Sequence, residues 1–179
     1  DLEYLNFIGE IDMFTSINKL FNDFKNKNNN IFFTKYLENS IPVINCNEIW
    51  HPYLKENIVT NNINIGNDNN NNIVITGANA GGKSTFIKSL VISLIFSQTL
   101  GIAFSKKFEM TPFSLINTYL NIPDCKGKES LFEAEMNRSK LHLDELENMD
   151  SNKFSFIIMD EIFSSTNPQE GISGAYAIA

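Results

Sequence analysis

Gly77-Ala78-Asn79-Ala80-Gly81-Gly82-Lys83-Ser84-Thr85 gathers three glycines, one lysine and two hydroxyl side chains within nine residues. Before it stands the apolar run Ile73-Val74-Ile75-Thr76, and after it a long apolar segment opens at Phe86. Strand, glycine-rich loop and helix with the spacing G-x-x-x-x-G-K-S make a phosphate-binding loop. Glycines let the backbone curl until several N–H groups face one anion, and the helix behind adds the positive end of its dipole. In that reading Lys83 reaches the terminal phosphates and the Ser84 hydroxyl binds Mg²⁺. A glycine-rich turn can share this spacing by chance, but here both flanking elements are also present. The expected ligand is a nucleoside triphosphate.

A second group lies downstream. Phe154-Ser155-Phe156-Ile157-Ile158-Met159 is a near-continuous apolar run, expected to form a strand buried on both faces, and it ends in Asp160-Glu161. Acids at the carboxyl end of such a strand stand where an α/β sheet binds its ligand. Asp160 is expected to bind Mg²⁺, directly or through water, and Glu161 to orient or deprotonate the attacking water. The loop speaks only for binding; Glu161 is what makes hydrolysis chemically available.

The elements that must position these groups follow from periodicity. Apolar residues at three- and four-residue steps from Leu2 to Phe24 predict an amphipathic helix over residues 1–25, broken by the Lys/Asn cluster at 26–30. Strands are expected within Ile41–Ile49, up to Ile65, at Ile73–Thr76, at Ile102–Phe104, within Phe113–Ile122 and at Phe154–Met159. Helices are expected over about 84–100, about 130–149, with Leu131, Phe132, Met136, Leu141, Leu143 and Leu146 inside, and from Pro168 onward. Strands alternating with helices around a phosphate loop predict an α/β P-loop domain with a central, largely parallel sheet flanked by helices, preceded by a helical segment of another domain.

Composition narrows the class further. In 179 residues, 42% are hydrophobic and 15 are Phe, enough for a real core. A net charge of −7 argues against this segment being the main nucleic-acid surface. Cys46 and Cys125 are far apart and no C-x-x-C occurs, so two ordinary thiols in a reducing, intracellular compartment are expected. The apolar stretch 86–104 is interrupted by Lys88 and several serines, which makes it a buried helix and not a membrane span. Of the 26 asparagines, many fall in polar tracts such as 66–72, expected to be a hairpin loop carrying a low-complexity insertion. The opening without Met and the end at Ala179 within an apolar run suggest a piece of a longer chain. Trp50 is expected in the core, His51 in a local hydrogen bond, and His142 solvated on a charged helix.

Several of these stretches together resemble the C-terminal, ABC-type ATPase domain of the MutS DNA mismatch repair family. Thr76–Thr85 is similar to the family's phosphate loop, with Ala78 and Ala80 where Pro and Met are usual. Ser130-Leu131-Phe132-Glu133-Ala134-Glu135-Met136 resembles its Ser-Thr-Phe-x-x-Glu-Met segment. Met159-Asp160-Glu161-Ile162, Ser165-Thr166-Asn167 and Glu170-Gly171 resemble the Asp-Glu motif and the turn after it, with Ser165 where Gly is usual. His51-Pro52 and Val59–Ile63 resemble the entry to the loop strand. The match runs over about residues 40–179, and Leu5–Ile17 resembles the end of the helical core domain that precedes it, which divides the chain into 1–30 and 31–179.

The resemblance implies ATP and Mg²⁺ as cofactors, with Gly77, Ala78, Asn79, Ala80, Gly81, Gly82, Lys83, Ser84 and Thr85 around the phosphates. It implies adenine near Ile58 and Asn61, Ser84 and Asp160 on the metal, and Glu161 with Lys83 as catalytic groups. It further implies a composite site, in which Gly127, Lys128 and Ser130 form a signature-like loop reaching the nucleotide of a paired subunit, as homo- or heterodimer. Double-stranded DNA is the implied partner, through domains outside this segment, and the nucleus the location in a eukaryote. The implied activity is ATP hydrolysis that switches a DNA-bound clamp. The alternative is a nucleotide-gated dimerisation or DNA-binding module with little hydrolysis, serving recombination or another pathway. An ABC transporter subunit is the weaker third reading, because no Leu-Ser-Gly-Gly-Gln occurs.

Overall fold

The computed structural model describes residues 2–25, 30–54, 56–66, 71–78, 80–120 and 131–178. The chain divides into two compact units, Asp1–Pro112 and Phe113–Ala179. Both mix helices and strands. Among the described residues no helix is long and apolar enough to cross a membrane.

The first unit contains α1 (Leu2–Lys25), β1 (Phe32–Phe33), β2 (Lys35–Tyr36), β3 (Ile44–Ile49), β4 (Asn61–Ile65), α2 (Lys83–Leu100), β5 (Ile102–Ala103) and β6 (Lys107–Met110). Four of its strands form a sheet in the order β2-β6-β3-β4, and β1 pairs with β5. β3 runs antiparallel to both β4 and β6, whereas β2 and β6 are parallel. Ile44, Cys46 and Ile49 of β3 are buried with Phe108 and Met110 of β6. Burial pushes the Cys46 thiol up to about 12, so it is an inert core residue. Trp50 is buried where β3 ends, as expected: its indole N–H donates to Asn30 O at 2.7 Å, and its ring meets Phe24 and Phe104 edge-on. Among the described residues it is the end of α1 that joins this core, through Phe21 stacked on Phe33 and through Phe24. Leu2, Leu5 and Phe14, earlier on the helix, are exposed.

Helix α2 buries a face that apolar periodicity alone does not reveal. Ser89, Ser93 and Ser97, four apart and thus on one side, are all buried beside Leu90, Val91 and Leu94. Their hydroxyls are used: Ser89 Oγ donates to Thr85 O at 2.7 Å, Ser93 Oγ accepts the Phe104 N–H at 3.3 Å, and Ser97 Oγ accepts the Thr34 hydroxyl at 2.7 Å. Gly101 closes the helix in the left-handed conformation (φ 72°), and its N–H returns to Ser97 O at 2.9 Å.

The second unit is built on β7 (Leu115–Tyr119), α3 (Leu131–Glu147), β8 (Ser155–Met159) and α4 (Pro168–Ile178). β7 and β8 are parallel, with Leu115 opposite Ser155 and Tyr119 opposite Met159. Parallel neighbours need a crossover, and α3 lies in the connection between them. Ser114 N–H to Phe154 O at 2.8 Å and Asp160 N–H to Tyr119 O at 3.0 Å extend the pairing at both ends.

Three expectations need correction. Ile73–Thr76 is not a strand: among the described residues it pairs with no neighbour, and Val74 is 87% exposed. A single central, largely parallel sheet is not shown; the strands form separate sheets of two, four and two members. The physical reason is shared. A short apolar run becomes a strand only when neighbours supply its lateral hydrogen bonds, and parallel partners are distant in sequence. β8, expected to be covered on both faces, alternates instead: Phe156 and Ile158 are buried while Ile157 is exposed. The short strands β1, β2 and β6 carry too few residues for periodicity to announce them.

Gly66, buried after β4 at φ +83°, has no room for a side chain, since a Cβ there would lie 1.8 Å from Pro42 O. Gly66→Ala is expected to destabilise the protein by about 1–3 kcal/mol, through left-handed strain and overpacking together. Urea unfolding of the two proteins measures the difference.

Candidate functional site

The glycine-rich loop is a turn that delivers the chain into α2. Gly81 N–H donates to Ala78 O at 3.0 Å, and a Cβ at Gly81 would crowd that same oxygen at 2.9 Å. Ala80 (φ 61°) and Gly82 (φ 85°) are both left-handed, and Gly82 is the N-cap of α2. The first turn of α2 carries no acidic residue, and among the described residues no side chain caps it. Its positively polarised end is therefore available to an anion. Lys83 arches back over the loop, where Nζ donates to Gly77 O at 2.8 Å and Ala78 O at 3.0 Å. Ser84 and Thr85 are exposed on the first turn, while Asn79 lies outside the described residues. These features fit a triphosphate: a helix N-terminus, a loop curled by left-handed residues, and a cation held at the loop mouth.

The acidic pair sits in the second unit, where β8 ends. Asp160 is half-buried and Glu161 exposed. Glu161 (φ 53°) and Phe163 (φ 51°) both take the left-handed region without being glycine, which costs about 1–2 kcal/mol each. Packing compensates. The Phe163 ring is buried, 5.8 Å from Phe132 on α3 and 6.5 Å from Tyr119 on β7, in edge-on geometry. Gly171 and Gly174 of α4 leave room for it, for a Cβ at Gly174 would stand 2.7 Å from the ring. The turn then enters α4 through Asn167, whose side chain accepts the Glu170 N–H at 3.0 Å, with Pro168 as the first helical residue. The Thr166 hydroxyl donates to the Glu170 carboxylate.

Polar groups that periodicity did not single out lie under this turn. Glu135, Ser139 and His142 form the buried face of α3, whereas Met136, Leu141 and Leu143, expected inside, are exposed. The Glu135 carboxylate accepts the Ser165 hydroxyl, and Ser139 Oγ donates to Glu135 O at 2.9 Å. Burial, and next the Glu135 charge, push the Tyr119 phenol up to about 12. The signal that marks this face is the 4-and-3 spacing of residues 135, 139 and 142, which is helical but polar.

The remaining expected residues divide between the units. Ile58 (half-buried) and Asn61, the latter opposite Ile49 at the start of β4, belong with the glycine loop to the first unit; Asp160 and Glu161 belong to the second. Gly127, Lys128, Ser130 and Cys125 lie outside the described residues. His51 makes the expected local bond, with Nδ1 accepting the Tyr53 N–H at 3.3 Å. Burial and the Lys88 charge hold its pKa down. Among the described residues no three His, Cys, Asp or Glu gather into a metal cage. The hard oxygens of Ser84 and Asp160 are the donor types Mg²⁺ takes alongside phosphate oxygens.

His142 is not solvated, as its charged helix suggested, but buried. Asn117 of β7 bridges its Nδ1 and the Glu145 carboxylate, and Nε2 has no hydrogen-bond partner among the described residues. Burial lowers its pKa, with Glu145 opposing. Because the folded-state pKa lies below the unfolded value near ~6.5, the unfolded chain binds more protons in the interval between them. Its stabilising contribution is therefore complete above about pH 6.5 and declines as pH falls through that interval. Urea midpoints of wild type and His142→Gln between pH 7.5 and 5 are expected to show a steeper acid-side fall for wild type.

A sequence profile of MutS domain V matches residues 73–179. The DNA mismatch repair protein MutS of Thermotoga petrophila is 32% identical over 133 residues, covering 72% of this chain and 16% of that protein. Endonuclease MutS2 of Bacillus velezensis is 32% identical over 149 residues, covering 81% of this chain and 18% of its own. The mismatch repair protein MSH3 of Debaryomyces hansenii is 35% identical over 123 residues, covering 68% of this chain and 12% of its own. The chain thus spans less than a fifth of the length of these curated relatives.

Proposed function

The chain belongs to the MutS family, through domain V, and from that premise we propose that it is the C-terminal ATPase domain of a MutS-like DNA mismatch repair protein. The observation that carries the reading is the glycine loop at the uncapped N-terminus of α2, with Lys83 at its mouth. In this proposal residues 77–85 hold the phosphates of ATP, and Ile58 and Asn61 border the adenine. Ser84 and Asp160 would hold Mg²⁺, which when bound would neutralise charge on the phosphates. Lys83 stabilises charge on the transferred phosphoryl group, and Glu161 orients or deprotonates the attacking water.

The proposal extends to architecture and partners. Residues 1–30 end a helical lever domain, and 31–179 belong to the ATPase domain. Gly127, Lys128 and Ser130 serve the nucleotide of a second MutS-like subunit, in a homo- or heterodimer. ATP hydrolysis resets a clamp on double-stranded DNA, held by domains outside this segment, within a reducing intracellular compartment. The matches to a mismatch repair MutS and to an endonuclease MutS2 are equally strong at 32%, so DNA substrate decides between branches. A gel-shift panel of homoduplex, mismatched and branched DNA with the full-length protein separates them; preference for branched over mismatched DNA would reject the mismatch-repair assignment.

Two substitutions in the full-length protein test the chemistry. Lys83→Ala is expected to weaken ATP binding about a hundredfold or more, ~2.7 kcal/mol by equilibrium titration. Undiminished affinity would reject the phosphate loop. Glu161→Gln is expected to keep ATP affinity while single-turnover hydrolysis falls by about 10²–10⁴. Equal rates in the two proteins would favour the module with little hydrolysis of its own, and remove Glu161 from catalysis.

A further inference from the structure

We propose that Glu135 is a positioning residue for Glu161, acting through its hydrogen bond to Ser165. The inference rests on the reading of Asp160-Glu161 as the hydrolytic pair, and its structural basis lies wholly within the second unit. The backbone between β8 and α4 is tied at three points. Asp160 N–H is bonded to Tyr119 O at 3.0 Å, Asn167 caps α4, and between them Ser165 gives its hydroxyl to Glu135. Glu161 lies inside the tied segment, in a left-handed conformation that a non-glycine residue leaves when nothing holds it.

The two partners have unequal need of the bond. Ser165 is exposed, so water can satisfy its hydroxyl; Glu135 is 4% exposed, and a carboxylate so buried requires a donor. The desolvated carboxylate therefore draws the turn onto α3. Phe163, packed on Phe132 of the same helix, makes the second attachment, and the two together aim the Glu161 side chain. Glu135 itself is buried and acts through Ser165.

A residue that acts by aiming Glu161 changes turnover and not nucleotide affinity, because in this reading Glu161 acts on the attacking water and not on the bound phosphates. In the full-length protein, Glu135→Ala and Ser165→Ala are each expected to lower kcat for ATP hydrolysis by about ten- to a hundredfold, with KM nearly unchanged. The double variant is expected to be no slower than Glu135→Ala, since both remove one interaction. Glu135→Gln, whose amide oxygen still accepts the Ser165 hydroxyl, is expected to rescue most of the loss. Wild-type kcat in Ser165→Ala, the variant on the exposed partner, overturns the proposal even where Glu135→Ala fails to fold. So does a lowered unfolding midpoint in Glu135→Ala with kcat per folded site unchanged. Glu161→Gln assayed beside them separates the two levels: if it is inactive while Ser165→Ala is unaffected, only the positioning role falls, whereas an active Glu161→Gln removes the hydrolytic reading and this proposal with it.

Discussion

Everything chemical in the first unit depends on how the backbone turns at Gly81 and Gly82. The turn brings Gly81 against Ala78 O, where a Cβ would sit at 2.9 Å, and then passes through φ 85° at Gly82 before the helix begins. Only glycine takes both steps without strain or clash. The consequence is an abrupt helix start that no described side chain caps, so the dipole end and the N–H groups of the first turn face the loop. Lys83 is the first helical residue, so its long side chain reaches back to the carbonyls of Gly77 and Ala78. Loop, dipole and cation are thus one construction. α2 can supply it because its other end is fixed in the core by Ser93, Ser97 and Gly101.

The second unit solves a different problem, which is to hold a carboxylate on a strained turn. Glu161 and Phe163 both occupy the left-handed region, so the turn must be over-determined by its neighbours. A buried aromatic ring, two glycines facing it on α4, and a hydrogen bond from Ser165 to Glu135 do this together. The polar face of α3 is therefore not a defect in an amphipathic helix. Its buried hydroxyl and carboxylate are hydrogen-bonded, and they connect the helix to the strand end where the acids stand.

The helices were legible because each carries ten or more residues of pattern with a start or stop signal, such as Gly101 after α2 or Pro168 at the start of α4. The inward face of α3 was not legible. Leu141 and Leu143 have the composition of core residues, yet they lie exposed while Glu135 and His142 are buried. Periodicity finds a stripe but ranks it by hydrophobicity, and a hydrogen-bonded carboxylate or imidazole is buried on other grounds. Ile73–Thr76 erred the other way: its apolar side chains suit a strand, but pairing is a property of neighbours and not of the run itself.

The sequence by itself determined which residues could do chemistry and where helices begin near them. Glycines, lysine, serine and the Asp-Glu pair declare themselves by type and spacing, because phosphate binding needs bare backbone and a cation within a few consecutive residues. Only the tertiary structure decided what holds the acids in place. Glu135 and Ser165 stand thirty residues apart, and no local rule relates them. Their meeting follows from the parallel pairing of β7 and β8, which carries α3 in its crossover and sets that helix against the turn after β8. Local chemistry is written in neighbouring residues. The strain that aims it is balanced by contacts that only the fold creates.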